Sequence, residues 1–380
     1  MRNSDTNTSP FGVLSCPMGG GNIQPFINLV SLLRQVCPNL AVIAVHDEHT
    51  SLNGLENNDF PNVSEIIHHS ESTSTLSRIC SYFGSQVKIS IKLLEYPQNN
   101  LWIFYIDNGL ILPMITAKLL RKNILIVLGG SQEREVHLKG SRIGRVANTL
   151  AKINIRLCNN IVVYSPTLIS EWNLTPYRHK ILIAHRHFLD FTTFTVTTPY
   201  HDRPNLIGYI GRLSAEKGVQ HFAQALPAIL SNHQDLHVLI GGDGQLKQEI
   251  EASLQEGGIA AHVDLPGWIS HEELPKYLNQ LRLLVLPSYT EGLPNIMLEA
   301  MACGTPVLAT PVGAIPDVIW DGETGFIMEN NSPECIARNV MRVLSDPDLE
   351  GIAERGRAFV EREFTFEKAV ERWKGIFGEI

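Results

Sequence analysis

Twice along its 380 residues, this chain runs through the same alternation. A short apolar run gives way to a glycine- or proline-bearing loop, and a longer segment of helical character follows. In the first half the apolar runs are Phe11–Cys16, Leu40–Val45, Asn100–Ile106, Ile124–Leu128 and Ile161–Tyr164, with helices predicted over Ile23–Val36 and near 76–94. Short continuous apolar runs are strands buried on both faces. Strands that alternate with helices form a parallel sheet covered on both sides. The stretch 191–204 has no helical period and carries Pro199 and Pro204, so it reads as a linker. The alternation then restarts with strands Asn205–Ile210, Leu236–Ile240, His262–Leu265, Leu283–Leu286 and Pro306–Ala309 and helices Val219–Leu230 and Gln245–Glu256. The chain is too long for one comfortable core. The predicted architecture is therefore two α/β domains in tandem, residues 1–195 and 205–360, with the cleft between them as the expected site. Residues 361–380 form a terminal helix whose Trp373, Ile376 and Phe377 need a surface to cover, and it is predicted to cross back to the N-terminal domain. Residues 49–75 are polar and irregular and read as a surface excursion.

Charge and cysteine usage narrow the function classes. The net charge of −8 hides a split: residues 1–199 carry 17 Lys/Arg and 13 Asp/Glu, a net of +4, whereas residues 200–380 carry 14 and 26, a net of −12. There is no strongly basic domain and no aromatic–basic motif of the kind that binds RNA, so nucleic acid is not an expected partner. The six cysteines (Cys16, Cys37, Cys80, Cys158, Cys303, Cys335) include no CxxC pair, which points to buried thiols in a reducing cytosol. No apolar run reaches the ~18 residues needed to span a bilayer. A cytoplasmic location, with peripheral contact at the inner face of the membrane as an option, is the expectation.

The chemistry concentrates at the ends of the second set of strands. Glu291-Gly-Leu-Pro-Asn-Ile-Met-Leu-Glu299 places two carboxylates eight positions apart, after the strand that ends at Pro287 and into the helix that begins near Asn295. Open α/β sheets bind ligands at such carboxyl ends. Gly292 permits close backbone approach, and Pro294 presets the turn. The free amides at the start of that helix favour anions. Gly211-Arg-Leu-Ser-Ala-Glu-Lys-Gly218 offers two cations, Arg212 and Lys217, after another strand, a forked guanidinium and a point charge suited to a diphosphate. Gly241-Gly-Asp-Gly244 closes the next strand. Taken singly, each of these also reads as a polar turn or solvated loop.

Their order sharpens them. Gly211-Arg212…Lys217, Gly241-Gly-Asp-Gly244, Leu265-Pro-Gly-Trp268, Pro287-Ser288…Glu291-Gly-Leu-Pro294, Glu299-Ala-Met-Ala-Cys-Gly-Thr-Pro-Val307 and Gly313…Asp321-Gly-Glu-Thr-Gly325 succeed one another. This series resembles the donor domain of the retaining glycosyltransferases of family 4, group 1, which have the GT-B fold of two Rossmann-like domains facing across a cleft. The resemblance covers about residues 200–380; the first half is similar only in layout. It implies transfer of a sugar from a UDP- or GDP-sugar to a glycan, lipid-linked or small-molecule acceptor, with retention of anomeric configuration and no metal or other cofactor. Arg212 and Lys217 match the pair that binds the donor diphosphate, Glu299 the acceptor of both ribose hydroxyls, and Glu291 the acid at the transferred sugar. The backbone of Gly292, Leu293, Pro294, Asn295 and Ile296 matches the segment that holds sugar hydroxyls and phosphate. Gly211 and Gly242 belong to the glycine loops around the donor, Gly267 and Trp268 match the backbone at the nucleobase, and Gly20 and Gly21 match the N-domain loop that approaches phosphate. Same-face attack within an ion pair, the diphosphate assisting deprotonation of the acceptor, is the mechanism the resemblance implies.

This chain departs from the family pattern at several points. Where many relatives carry a histidine after an N-domain strand, it has Ile106-Asp107-Asn108-Gly109 and Leu128-Gly129-Gly130-Ser131-Gln132, so Asp107 or the Gly129–Gln132 loop stands in as substitute. His187-Phe188-Leu189-Asp190 replaces an Asn-Gly-Val-Asp segment, and Gly313-Ala314 a Gly-Gly. The pairs His46/His49, His68/His69 and His185/His187 lack further ligands and read as structural. Residues Lys139–Arg156 carry five basic residues and no acid. On a helical wheel Ile143, Val146, Ala147, Leu150 and Ile153 share one face, with Arg145, Lys152 and Arg156 opposite. This is either a sheet-covering helix with a solvated basic face or a surface for anionic lipid headgroups. Two other functional classes stay open at this level: an epimerase or phosphorylase acting on nucleotide sugars, and a non-catalytic partner subunit.

Overall fold

A computed structural model of the chain describes residues 11–15, 24–47, 63–68, 75–105, 109–129 and 142–380. Of the sequence candidates, Gly20, Gly21, Asp107, Gly130–Gln132, Lys139 and the side chain of Arg145 lie outside the described residues.

The apolar runs become strands to within a residue or two. In the first unit β1 (Phe11–Ser15), β2 (Ala41–Asp47), β3 (Val63–His68), β4 (Leu101–Tyr105), β5 (Asn123–Val127), β6 (Asn160–Val163) and β7 (Ile181–Ile183) form a parallel sheet in the order β3-β2-β1-β4-β5-β6-β7. β3 corrects the expectation that 49–75 is irregular throughout. Its sequence, Val-Ser-Glu-Ile-Ile-His, is polar enough to hide in a loop, and it sits at the sheet edge, where only one neighbour has to be satisfied. Helices Gln24–Val36, Thr75–Leu94, Ile111–Leu119 and Arg142–Leu157 connect the strands. The chain moves one way along the sheet from β1 to β3 and the other way from β3 to β7. Right-handed crossovers therefore place Gln24–Val36 on one face and the later three helices on the opposite face.

The second unit repeats the plan. Its strands are β8 (Leu206–Ile210), β9 (His237–Gly241), β10 (Val263–Gly267), β11 (Leu283–Leu286), β12 (Val307–Ala309) and β13 (Phe326–Ile327), all parallel, in the order β10-β9-β8-β11-β12-β13. Its core gathers Ile207, Tyr209, Val238, Ile240, Leu283 and Val285 from the strands and Phe222, Leu226 and Ile336 from the helices.

The compact units are residues 1–186 with 367–380, and residues 187–366. The terminal helix Phe366–Glu379 thus belongs largely to the first unit. Trp373 is fully buried there, its indole N–H 3.3 Å from the carbonyl of His185, and Phe377 stacks on Phe11 with ring centroids 4.6 Å apart. The stretch 191–204, expected as a linker, is packed into the second unit. Phe194 and Tyr200 are buried, and the buried Arg203 guanidinium donates to the carbonyls of Leu281 (2.8 Å), Cys303 (2.7 Å) and Thr198 (3.2 Å) and to Thr305 Oγ1 (2.8 Å). Cys37, Cys158, Cys303 and Cys335 are buried, but Cys80 is exposed on the helix Thr75–Leu94, against the expectation of buried thiols.

Candidate active site

The second sheet reverses its order between β8 and β11, so the loops that follow these two strands leave from adjacent strand ends. Those loops carry Arg212 and Lys217, and Glu291 and Glu299, on segments 74 residues apart in sequence between Lys217 and Glu291. A crevice at such a reversal is where doubly wound sheets bind ligands.

After β8 the chain turns at Gly211, whose N–H donates to Gly241 O (3.0 Å). Gly242 N–H in turn donates to Gly267 O (2.7 Å), and Leu213 N–H to Asp243 O (2.9 Å). The three glycine loops therefore hold one another through backbone bonds. The buried Tyr209 hydroxyl donates to Arg212 O (2.7 Å), fixing where the following residues start. A short 3₁₀ turn, Ala215–Lys217, ends at Gly218, which has φ +67° and lies against the carbonyl of Pro287; a side chain there would collide with that backbone. This contact seats the β8 loop on the β11 loop.

Lys217 Nζ lies 2.7 Å from Glu291 Oε1, and the Ser288 hydroxyl donates to the same oxygen at 2.7 Å. The Glu291 side chain is 9% exposed and that of Lys217 27%. Arg212 is mostly exposed and reaches Glu216 (3.4 Å), itself held by the Ser214 hydroxyl (2.7 Å). Pro294, in extended backbone, precedes the helix Asn295–Ala302. Asn295 is exposed, Ile296 half-buried and Leu293 buried. Gly313, at φ +63°, packs on the carbonyls of Glu291 and Gly292, and Ala314 N–H donates to Gly292 O (2.7 Å). Glu299, one turn into the helix, is buried at 6% exposure, so neither carboxylate is a solvated surface group. Trp268 stands out from the end of β10 at 77% exposure.

Sequence reasoning missed His271. Its Nε2 lies 3.3 Å from Glu299 Oε1, and its ring meets that of Phe194 edge-on at 5.2 Å. The hydrogen bond and charge of Glu299 raise its pKa above the ordinary 6.5, with burial opposing. The signal in sequence is slight: one histidine four residues after Gly267, on a segment with no motif of its own. Arg186 was also missed. It sits beyond β7 with its guanidinium 4.8 Å from the Tyr164 ring and 5.6 Å from that of Tyr105, and it donates to the Tyr164 hydroxyl. Burial pushes both tyrosine hydroxyls up in pKa. Asp321, within the last motif, is a structural clamp: Arg342 binds both its oxygens at 3.0 and 3.1 Å, and Ile327 N–H donates to it. Among the described residues no three His, Cys, Asp or Glu side chains gather as a metal site, and Gly129 ends the described part of its loop.

Two doubly wound parallel sheets in tandem, the last helix returned to the first, define the GT-B fold of glycosyltransferases. The fold is shared over nearly the whole chain with Anabaena HepE, solved in complex with UDP and glucose (TM-score 0.75, 15% identity, 98% of this chain and 100% of that one). It is also shared with sucrose-phosphate synthase from Thermosynechococcus elongatus (TM-score 0.76, 18% identity, 98% of each). Residues 192–359 match the family model of glycosyl transferases group 1, a family of transferases. Over 180 residues the chain is 32% identical to alpha-D-kanosaminyltransferase of Streptomyces kanamyceticus, covering 47% of this chain and 46% of the relative. Over 185 residues it is 30% identical to the capsular polysaccharide biosynthesis glycosyltransferase CapM of Staphylococcus aureus, covering 47% and 48%. The chain thus matches about half the length of these curated relatives.

Proposed function

We propose that the chain is a retaining glycosyltransferase that takes its sugar from a nucleotide-diphosphate donor held by the second unit. The observation that carries this reading is the Lys217–Glu291–Ser288 cluster at the sheet's reversal point, with Glu299 buried one helical turn beyond. Cleaving the anomeric bond puts negative charge on the departing diphosphate. Arg212, Lys217 and the free amides at the start of Asn295–Ala302 are cationic or dipolar groups suited to it, and preorganised groups of this kind lower such barriers. Both bonds to Glu291 fall on Oε1, which leaves Oε2 for a sugar hydroxyl. Lys217 then trades part of its hold on Glu291 for the phosphate. Glu299 takes the ribose hydroxyls by displacing His271 from its carboxylate. A UDP-containing neighbour in fold and sugar transferases among the relatives support a UDP- or GDP-sugar. The acceptor, a glycan, lipid-linked or small molecule, is assigned to residues 1–190, with Arg186 a cation available to it.

A thermal-shift panel of UDP, GDP, ADP and their sugars tests the proposal. A saturating cognate nucleotide is expected to raise the melting temperature of the second unit by roughly 5–10 °C. Lys217→Ala should abolish most of that shift and lower transfer about a hundredfold or more. Indifference to every nucleotide would sink the reading.

A further inference from the structure

The helices Thr75–Leu94, Ile111–Leu119 and Arg142–Leu157 pack side by side on one face of the first sheet, and their outer surface is unlike the rest of the molecule. Among the described residues fourteen large apolar side chains are exposed, and nine of them stand on or directly after these three helices. Phe83 (60%), Val87, Ile91 (55%) and Leu94 make one stripe at helical spacing on the first helix; Ile115, Leu119 (78%) and Leu120 follow from the second, and Ile153 and Leu157 from the third. On the third helix one residue of the expected apolar face, Ile153, lies outward instead. Ala151, Asn154 and Ile155 are buried, and Ile153 lies outward beside Lys152 and Arg156.

Charge on the same helices has one sign. They carry three, one and four Lys or Arg, eight in all, and no Asp or Glu. Glu95, just past the first helix, is taken up by Lys92 at 2.9 Å. Six of the nine apolar groups have a basic neighbour in sequence: Lys88 follows Val87, Lys92 follows Ile91, Lys118 precedes Leu119, Arg121 follows Leu120, Lys152 precedes Ile153 and Arg156 precedes Leu157. A soluble monomer rarely gathers this many exposed apolar groups on one face without a partner.

We propose that this three-helix face docks on an anionic lipid bilayer, its apolar tips entering the headgroup–acyl boundary and its cations meeting lipid phosphates. The charge pattern selects this occupant. A second copy would set cations such as Lys88, Lys152 and Arg156 against cations with no carboxylate on these helices to answer them, and the centre of a protein interface is depleted of lysine. Interleaved apolar and basic side chains instead match the depth profile of a bilayer surface, where lysine and arginine stems lie along the apolar layer with their heads at the phosphates.

Flotation of the full chain with phosphatidylcholine vesicles, with and without phosphatidylglycerol, tests this without reference to nucleotide binding. The wild type is expected to float only with the anionic vesicles. Lys88→Gln/Lys152→Gln/Arg156→Gln should lower partitioning about a hundredfold, and Phe83→Ser/Ile91→Ser/Leu119→Ser at least about tenfold. Both should keep the wild-type melting temperature, because every altered side chain is exposed. Wild type that stays with neither vesicle, equal flotation on both, or an apolar variant that floats like wild type overturns the proposal. So does a concentration-dependent dimer that the apolar variant dissolves.

Discussion

One oxygen, Oε1 of Glu291, takes hydrogen bonds from both Lys217 and Ser288, and this convergence gives the second unit a candidate centre. The motif spacing made the carboxylates and the cation legible one by one, because Lys217 and Glu291 each sit next to a glycine and Glu299 follows Glu291 at a fixed distance into the next helix. Their pairing was not legible, since Lys217 and Glu291 lie 74 residues apart and meet only because β8 and β11 are neighbours. His271 was hidden for the same reason, facing a partner 28 residues away. Its raised pKa carries a pH dependence. The Glu299 contact favours the imidazolium, so its contribution to stability is complete below the unfolded value of 6.5 and fades as pH rises through the higher folded value. The ring is largely exposed, so the stability effect is small. The effect on ligand binding is expected to be larger. If ribose hydroxyls take Glu299, nucleotide affinity measured by calorimetry rises as pH increases from the ordinary imidazole value through the raised value of His271, and His271→Asn flattens that rise. An unchanged slope in the variant would separate His271 from the nucleotide site.

At the scale of elements, apolar runs located most strands, and the misses have particular causes. β3 was lost because an edge strand need not be apolar on both faces. The 191–204 stretch looked loose because its anchoring is remote. Arg203 is tied to carbonyls near 281 and 303, and Asn279 Oδ1 accepts from Thr197 N–H at 2.7 Å. Removing the guanidinium strands several buried acceptors at once. Arg203→Ala is expected to lower the stability of the second unit by about 3 kcal/mol or more in urea unfolding, since a bond to a charged donor contributes about 1.5–3 kcal/mol. Arg203→Lys should recover little of it, because one ammonium does not reproduce a planar fork. Near-wild-type stability in the lysine variant would show that charge alone holds the segment.

For the whole molecule, the two halves differ in what they present. Residues 1–199 carry +4 and residues 200–380 carry −12, and the basic excess falls on the helices that also expose apolar groups. The terminal helix closes the first unit with residues from the far end of the chain, Trp373 under His185 and Phe377 against Phe11. Trp373→Ala opens a cavity and removes an indole donor, which should cost the first unit about 3–5 kcal/mol. In differential scanning calorimetry its transition should fall while the nucleotide-dependent shift of the second unit persists. Loss of both together would mean that the units do not unfold separately.

The sequence by itself determined the α/β alternation, its division into two sheets, the return of the last helix and the ordered motifs of the second unit. Each of these rests on local patterning, on apolar periodicity or on turn chemistry at strand ends. Tertiary structure alone decided which strands are neighbours. It thereby decided that Lys217 meets Glu291, that His271 meets Glu299 and that Arg203 pins 191–204. It also decided which side of the helix Arg142–Leu157 faces the sheet, leaving Ile153 and Leu157 outward beside two cations. Periodicity shows that a helix has an apolar side. Only packing against a particular neighbour shows whether that side is covered.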